Sequence, residues 1–162
     1  MSAHPSQPDD PCGAPPLVFP GRVDLRLPAR AESVAYLRQA VTRFAVITGV
    51  QAPDDVALAV SEAVTNAVVH AYRHRAEGQI RVVACDEPGQ LVVVVRDYGC
   101  GMSPRHDSPG LGLGLPLMSR TASMTNIEMP ADGGTRVRMH FAKRARSPAS
   151  TTTPDDPSAS AA

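Results

Sequence analysis

Aromatic side chains are scarce: the chain has no tryptophan, and its phenylalanines and tyrosines together amount to 4% of the residues. A basic surface interleaved with aromatics, as nucleic-acid binding would use, is therefore not on offer. Net charge is missing as well, because sixteen basic and sixteen acidic side chains cancel. Nothing provides an electrostatic footprint for nucleic acid, and no direct nucleic-acid partner is expected. Long apolar runs are absent too. The longest, Leu91 to Val95, falls far short of a membrane span, and the first residues lack the basic-then-apolar order of a signal peptide, so no membrane attachment and a cytoplasmic location are expected. Cys12, Cys85 and Cys100 are odd in number, widely spaced and without a Cys-x-x-Cys pair. They indicate neither a disulfide framework nor a structural zinc site, and reduced thiols are expected.

What is present suits one soluble domain. The 162 residues leave room for one domain and not comfortably for two, and 43% hydrophobic with 20% charged side chains is an ordinary globular balance. Residues 1–16 are rich in proline among small and polar residues, and residues 145–162 are dominated by Ser, Thr, Pro, Asp and Ala. Neither composition buries enough apolar surface to offset the entropy of ordering, so both tails are expected to be disordered. The folded domain is then residues 17–144.

Within it, Val23 to Leu27 alternates apolar and polar, the pattern of a half-buried strand, and Pro28 stops it. Ala31 to Ile47 carries Val34, Leu37, Val41, Phe44 and Ala45 as a helical stripe that Gly49 ends. Pro53-Asp54-Asp55 opens a second helix with acidic groups at its positive end, predicted to run to about His74. Val56, Val60, Ala63, Val64, Ala67 and Ala71 form its core stripe. Gln79 to Cys85 and Gln90 to Arg96 are joined by the turn-rich Asp86-Glu87-Pro88-Gly89 into an antiparallel hairpin. A long glycine-rich connection leads to a short helix from about Gly112 to Ser123, with Pro116 in its first turn. Strands over Asn126 to Met129 and Thr135 to Phe141 flank an Asp132-Gly133-Gly134 turn. Met118, Met124 and Met129 read as core filler. The order β-α-α-β-β-α-β-β predicts an α+β fold, a two-layer α/β sandwich with a mostly antiparallel sheet and helices on one face.

Three stretches carry polar chemistry. Glu62, Asn66 and His70 follow at i, i+4, i+8, stacked on one helix face with roughly 6 Å of rise between them. A lone Glu-x-x-x-Asn is ordinarily a solvated flank; the glycine elements further along give it another meaning. Asp97-Tyr98-Gly99-Cys100-Gly101 ends the apolar strand, where glycines let backbone approach a flat ligand and the carboxylate accepts from an exocyclic amine. Gly110-Leu111-Gly112-Leu113-Gly114 leads into a helix, whose exposed amides and dipole suit phosphate. No Lys-Ser or Lys-Thr follows the glycines and no G-x-G-x-x-G sits at a first strand-to-helix turn, so neither a P-loop nor a Rossmann site is expected. Met102 to Pro109 is either plain loop or a lid.

Taken in order, Glu62-x-x-x-Asn66-x-x-x-His70-Ala71-Tyr72, Asp97-x-Gly99-x-Gly101, Gly110-Leu111-Gly112-Leu113 and Gly133-Gly134-Thr135 resemble the N box and glycine boxes of the GHKL ATPase superfamily. The compact length and N-box wording resemble the bacterial anti-sigma-factor serine kinases of the RsbW and SpoIIAB type. The resemblance spans about Val23 to Phe141 and implies a histidine-kinase-like, or Bergerat, ATPase fold with ATP and Mg²⁺ as cofactors. It implies that Glu62 is the general base for a protein hydroxyl and that Asn66 holds Mg²⁺ through its side-chain oxygen. Asp97 would accept from the adenine amine, with Gly99 and Gly101 shaping that pocket; Gly110, Gly112 and Gly114 would line the phosphates, and Thr135 would lie near the adenine. The partners implied are a sigma factor and an anti-sigma-factor antagonist of the STAS type, with a homodimer possible. Two other readings remain: a partner-switching module that binds ATP with little or no phosphotransfer, and a histidine-kinase catalytic domain. The latter suffers from the lack of a dimerising helical hairpin bearing a phosphorylatable histidine.

Overall fold

A computed structural model of the chain describes residues 21–72, 78–100 and 120–145. The tails, the connection from Gly101 onward with Gly110, Gly112 and Gly114, the loop Met102 to Pro109, and most of the helix expected from Gly112 to Ser123 lie outside the described residues.

Strand β1, Arg22–Pro28, leads into helix α1, Ala31–Ile47, and helix α2, Pro53–Asn66. Three features of the local sequence bound these helices. The Ser33 hydroxyl donates to the Pro28 carbonyl at 2.7 Å, tying the start of α1 to the end of β1. Gly49, at φ 78°, ends α1 with paired bonds from Gly49 N–H to Val46 O and from Val50 N–H to Ala45 O. Pro53 opens α2 where an amide hydrogen would have no partner, and Asp54 and Asp55 follow at the positive end.

The remaining strands are β2, Gln79–Glu87, β3, Gln90–Asp97, β4, Met124–Glu128, and β5, Arg136–Ala142. All pairings are antiparallel, in the order β1-β2-β3-β5-β4, so the α+β architecture and the β2–β3 hairpin stand as expected. Both helices pack on one face. Leu37, Val41 and Ala45 of α1 and Val56, Val60, Ala63 and Val64 of α2 share one core with Val82, Val93, Val95, Met139 and Phe141.

Four expectations need correction. The second helix does not run unbroken to His74: after Asn66 its backbone widens into a π-helical turn, Ala67–Ala71, and the helix ends there. Strand β4 begins two residues earlier than the pattern suggested. Met124 on this edge strand is 61% exposed and Met129, just past its end, 67%, so neither fills the core. Cys100 is a free, exposed thiol, but Cys85, buried in β2, is disulfide-bonded to a partner outside the described residues. Reduced thiols throughout do not hold for it.

The other face of the sheet is basic. Register aligns Arg26, Arg81, Arg96 and Arg136 in one row across β1, β2, β3 and β5. Like charges directly opposite destabilise a sheet. Here Asp24 pairs with Arg81 at 2.7 Å, Asp132 with Arg96 at 2.8 Å and Glu128 with Arg136 at 3.2 Å.

Candidate functional site

Glu62 and Asn66 sit one turn apart on α2, both half-buried beside the core stripe, as the spacing requires. Among the described residues neither side chain has a hydrogen-bonding partner, so a carboxylate and a carboxamide are left available. One turn further on, the π-helical segment ends at Ala71, and there α2 meets the sheet. The Ala71 carbonyl accepts from Cys100 N–H at 3.0 Å, and a Cβ on Gly99 would run into that same carbonyl. Glycine at 99 is thus what lets the strand-end turn lie against the helix end. π-helical turns are frequent at functional sites, and this one sets the angle at which the helix delivers Ala71 and Tyr72 to the turn.

Tyr72 closes the junction. Its hydroxyl donates to the Gln79 carbonyl at 2.5 Å and accepts from Tyr98 N–H at 2.8 Å, and its ring lies where a Cβ on Gly78 would be. Burial raises its pKa above the ordinary phenol value, so the hydroxyl stays protonated and able to donate.

Asp97 ends β3 with its side chain 5% exposed. Its Oδ1 accepts from Gly99 N–H at 3.0 Å, its own N–H donates to the Thr135 carbonyl at 3.0 Å, and the Thr135 side chain also bonds its carboxylate. Burial pushes the Asp97 pKa up, against the lowering effect of the hydrogen bonds from Gly99 and Thr135. Thr135 is itself buried, and Gly134 before it, at φ 71°, packs so closely on the Asp97 carbonyl that no side chain would fit. Asp97 and Gly99 are therefore joined to Thr135, distant in sequence, with Ala71 and Tyr72 against them. Gly101, Gly110, Gly112 and Gly114 fall outside the described residues.

Reasoning from sequence gave no role to Tyr72, Arg96 or Asp132. Tyr72 ends the Glu62-to-Tyr72 motif, and Arg96 interrupts an apolar strand directly before Asp97, a charge in a buried run that the sequence itself displays.

Arrangement and donor types suit a purine nucleotide: a buried acceptor at a tight glycine turn, and a carboxylate and carboxamide on the adjoining helix. Among the described residues no group of three or more His, Cys, Asp or Glu could hold a metal ion. A magnesium ion would have one protein oxygen from Asn66 and take its other ligands from phosphates and water, which is how this ion is usually held.

The chain belongs to the histidine kinase-like ATPase domain family, whose pattern residues 27–141 match. Among its relatives is the Anti-sigma F factor of Clostridium botulinum (strain Eklund 17B / Type B), 31% identical over 137 residues, which cover 75% of this chain and 94% of that protein. The Serine-protein kinase RsbW of Bacillus cereus (strain AH187) is 31% identical over 135 residues, covering 73% of this chain and 82% of that protein. The Anti-sigma F factor of Clostridium acetobutylicum is likewise 31% identical, over 131 residues. Among the described residues no helix is long and apolar enough to cross a membrane.

Proposed function

We propose that this protein is an ATP-binding anti-sigma factor and a serine/threonine protein kinase that phosphorylates an anti-sigma-factor antagonist, regulating its sigma factor by partner switching in the cytoplasm. The reading is carried by one observation: the helix bearing Glu62 and Asn66 ends on the turn that follows the buried Asp97 carboxylate. The names borne by the relatives support it.

In this reading the base amine of ATP donates to Asp97, while Gly99 and Gly101 allow the flat ring to approach and Thr135 lies beside it. Gly110, Gly112 and Gly114 present amides to the phosphates. Asn66 holds Mg²⁺ through its carboxamide oxygen; the ion, when bound, neutralises charge on the phosphates. Glu62 accepts the proton of the antagonist's hydroxyl as that oxygen attacks the terminal phosphoryl group, and ADP leaves. Orientation and charge neutralisation supply most of the acceleration in such a transfer.

The test is incubation of the purified protein with γ-labelled ATP, Mg²⁺ and candidate STAS-type antagonists from the same genome. Label on an antagonist is the expected result. Binding of ATP and a sigma factor with no label on any antagonist would instead select the partner-switching module without kinase activity. Sizing the protein alone and with its partners tests the homodimer.

A further inference from the structure

Arg96 is the largest fully buried side chain of the described residues, 1% exposed, and it has no part in the nucleotide contacts proposed above. A guanidinium does not shed its proton, and taking it out of water is costly unless well-placed acceptors offset the loss. Its position on β3 would suit another valine, since Val92 and Val94 precede it on the same face. Its hydrogen-bond acceptors among the described residues include groups on both turns of the site. Nη1 donates to the Asp97 carbonyl at 2.5 Å, and Nη2 donates to the Gly133 carbonyl at 2.7 Å and to Asp132 Oδ1 at 2.8 Å. The guanidinium carbon also lies 4.7 Å from the centre of the Tyr98 ring.

We propose that Arg96 is a positioning residue for base recognition, acting from behind the sheet to lock the Asp97–Gly99 turn against the Asp132–Thr135 turn. The proposal rests on the nucleotide reading of the site. Asp97 accepts from a base amine in one orientation only if its backbone is held, and the bond from its own N–H to the Thr135 carbonyl is one of those that hold it. Arg96 adds a grip on the Asp97 carbonyl and on the opposing turn, and it stacks on Tyr98, whose N–H is bonded to Tyr72. Three acceptors and a ring face are served at once by a planar fork, which the compact ammonium of a lysine cannot match.

The experiment uses the full chain with Arg96→Lys and, because a buried arginine is a risk to folding, Asp132→Asn in the exposed turn. Calorimetry gives the affinities for Mg-ADP and Mg-GDP, and amide hydrogen exchange without nucleotide follows Asp97, Tyr98, Gly99 and Cys100. Arg96→Lys should reduce the ADP-to-GDP affinity ratio about tenfold, the worth of one well-placed hydrogen bond to the base. Those four amides should exchange faster while Val82 and Val93 keep their protection, and Asp132→Asn should shift both readouts less, in the same direction. A merely structural role would weaken both nucleotides alike. A wild-type ratio in Arg96→Lys, or in Asp132→Asn if the first variant does not fold, overturns the proposal. If the wild type binds neither nucleotide, the proposed function fails instead. The exchange data then judge Arg96 alone, and unchanged protection of the four amides in both variants overturns its positioning role.

Discussion

Replacing Asp97 by asparagine separates binding from stability, because the same burial that equips the carboxylate for a base amine makes it expensive to keep ionised. In Asp97→Asn the carboxamide would retain an oxygen for Gly99 N–H, and the Thr135 hydroxyl can turn to accept from the new amide. The other position of the side chain changes from acceptor to donor. A base amine facing it then loses its partner in a buried setting, a loss of roughly 1 to 3 kcal/mol, or about five- to 150-fold in ADP affinity. Stability moves the other way. Asp97 has a folded-state pKa raised above the unfolded value, chiefly by burial, so its favourable contribution is fully present below the unfolded pKa and is lost as pH rises through the folded one. At neutral pH the wild type therefore bears the full penalty of an ionised buried carboxylate and the asparagine variant does not. The expected outcome is a nucleotide-free melting temperature for Asp97→Asn at or above wild type at pH 7, an advantage that shrinks on acidification as Asp97 protonates. Calorimetry with ADP and melting curves across pH check both halves. Equal ADP affinity would remove Asp97 from the pocket, and a variant markedly less stable than wild type at pH 7 would show that its hydrogen bonds outweigh its desolvation.

Glu62→Gln should bind Mg-ATP about as well as wild type while phosphotransfer to the antagonist falls roughly 10²-fold or more, the usual size of a general-base contribution. Asn66→Ala should instead lose Mg²⁺ and weaken ATP binding, so wild-type transfer by the first variant or Mg²⁺-independent binding in the wild type would refute the division of roles. Gly99→Ala drives a Cβ into the Ala71 carbonyl, so the strand-end turn should lift off the helix, with ADP affinity lost well before the fold. A fully retained ADP affinity would show that the close approach is not needed. Asp24 has its pKa lowered chiefly by the hydrogen bond from Arg81, so the stability it contributes is present above its unfolded pKa and lost as pH falls through the folded one. Asp24→Asn should cost about 1 to 3 kcal/mol in denaturant melts at pH 7, discounted because Asp24 is partly exposed, and the difference from wild type should close in acid.

Local chemistry was legible before any coordinates. The period of the apolar residues placed α1 and the start of α2; Pro53 and Gly49 marked boundaries that the backbone keeps, and Asp86 to Gly89 announced the hairpin. The box residues Glu62 and Asn66 fell on one helix face because their spacing is itself helical. All of this depends on neighbours within a few residues. The break of α2 into a π-helical turn was invisible, since Ala67 to Ala71 continues the apolar stripe and only docking of Ala71 on the Gly99 turn distinguishes the two backbones. The exposure of Met124 follows from β4 lying at the sheet edge, a matter of strand order. The row of arginines, and with it the grip of Arg96 on Asp97, Asp132 and Gly133, depends on register between strands up to tens of residues apart. Periodicity assigns a residue to a face, but which residue stands opposite it is decided only when the strands pair.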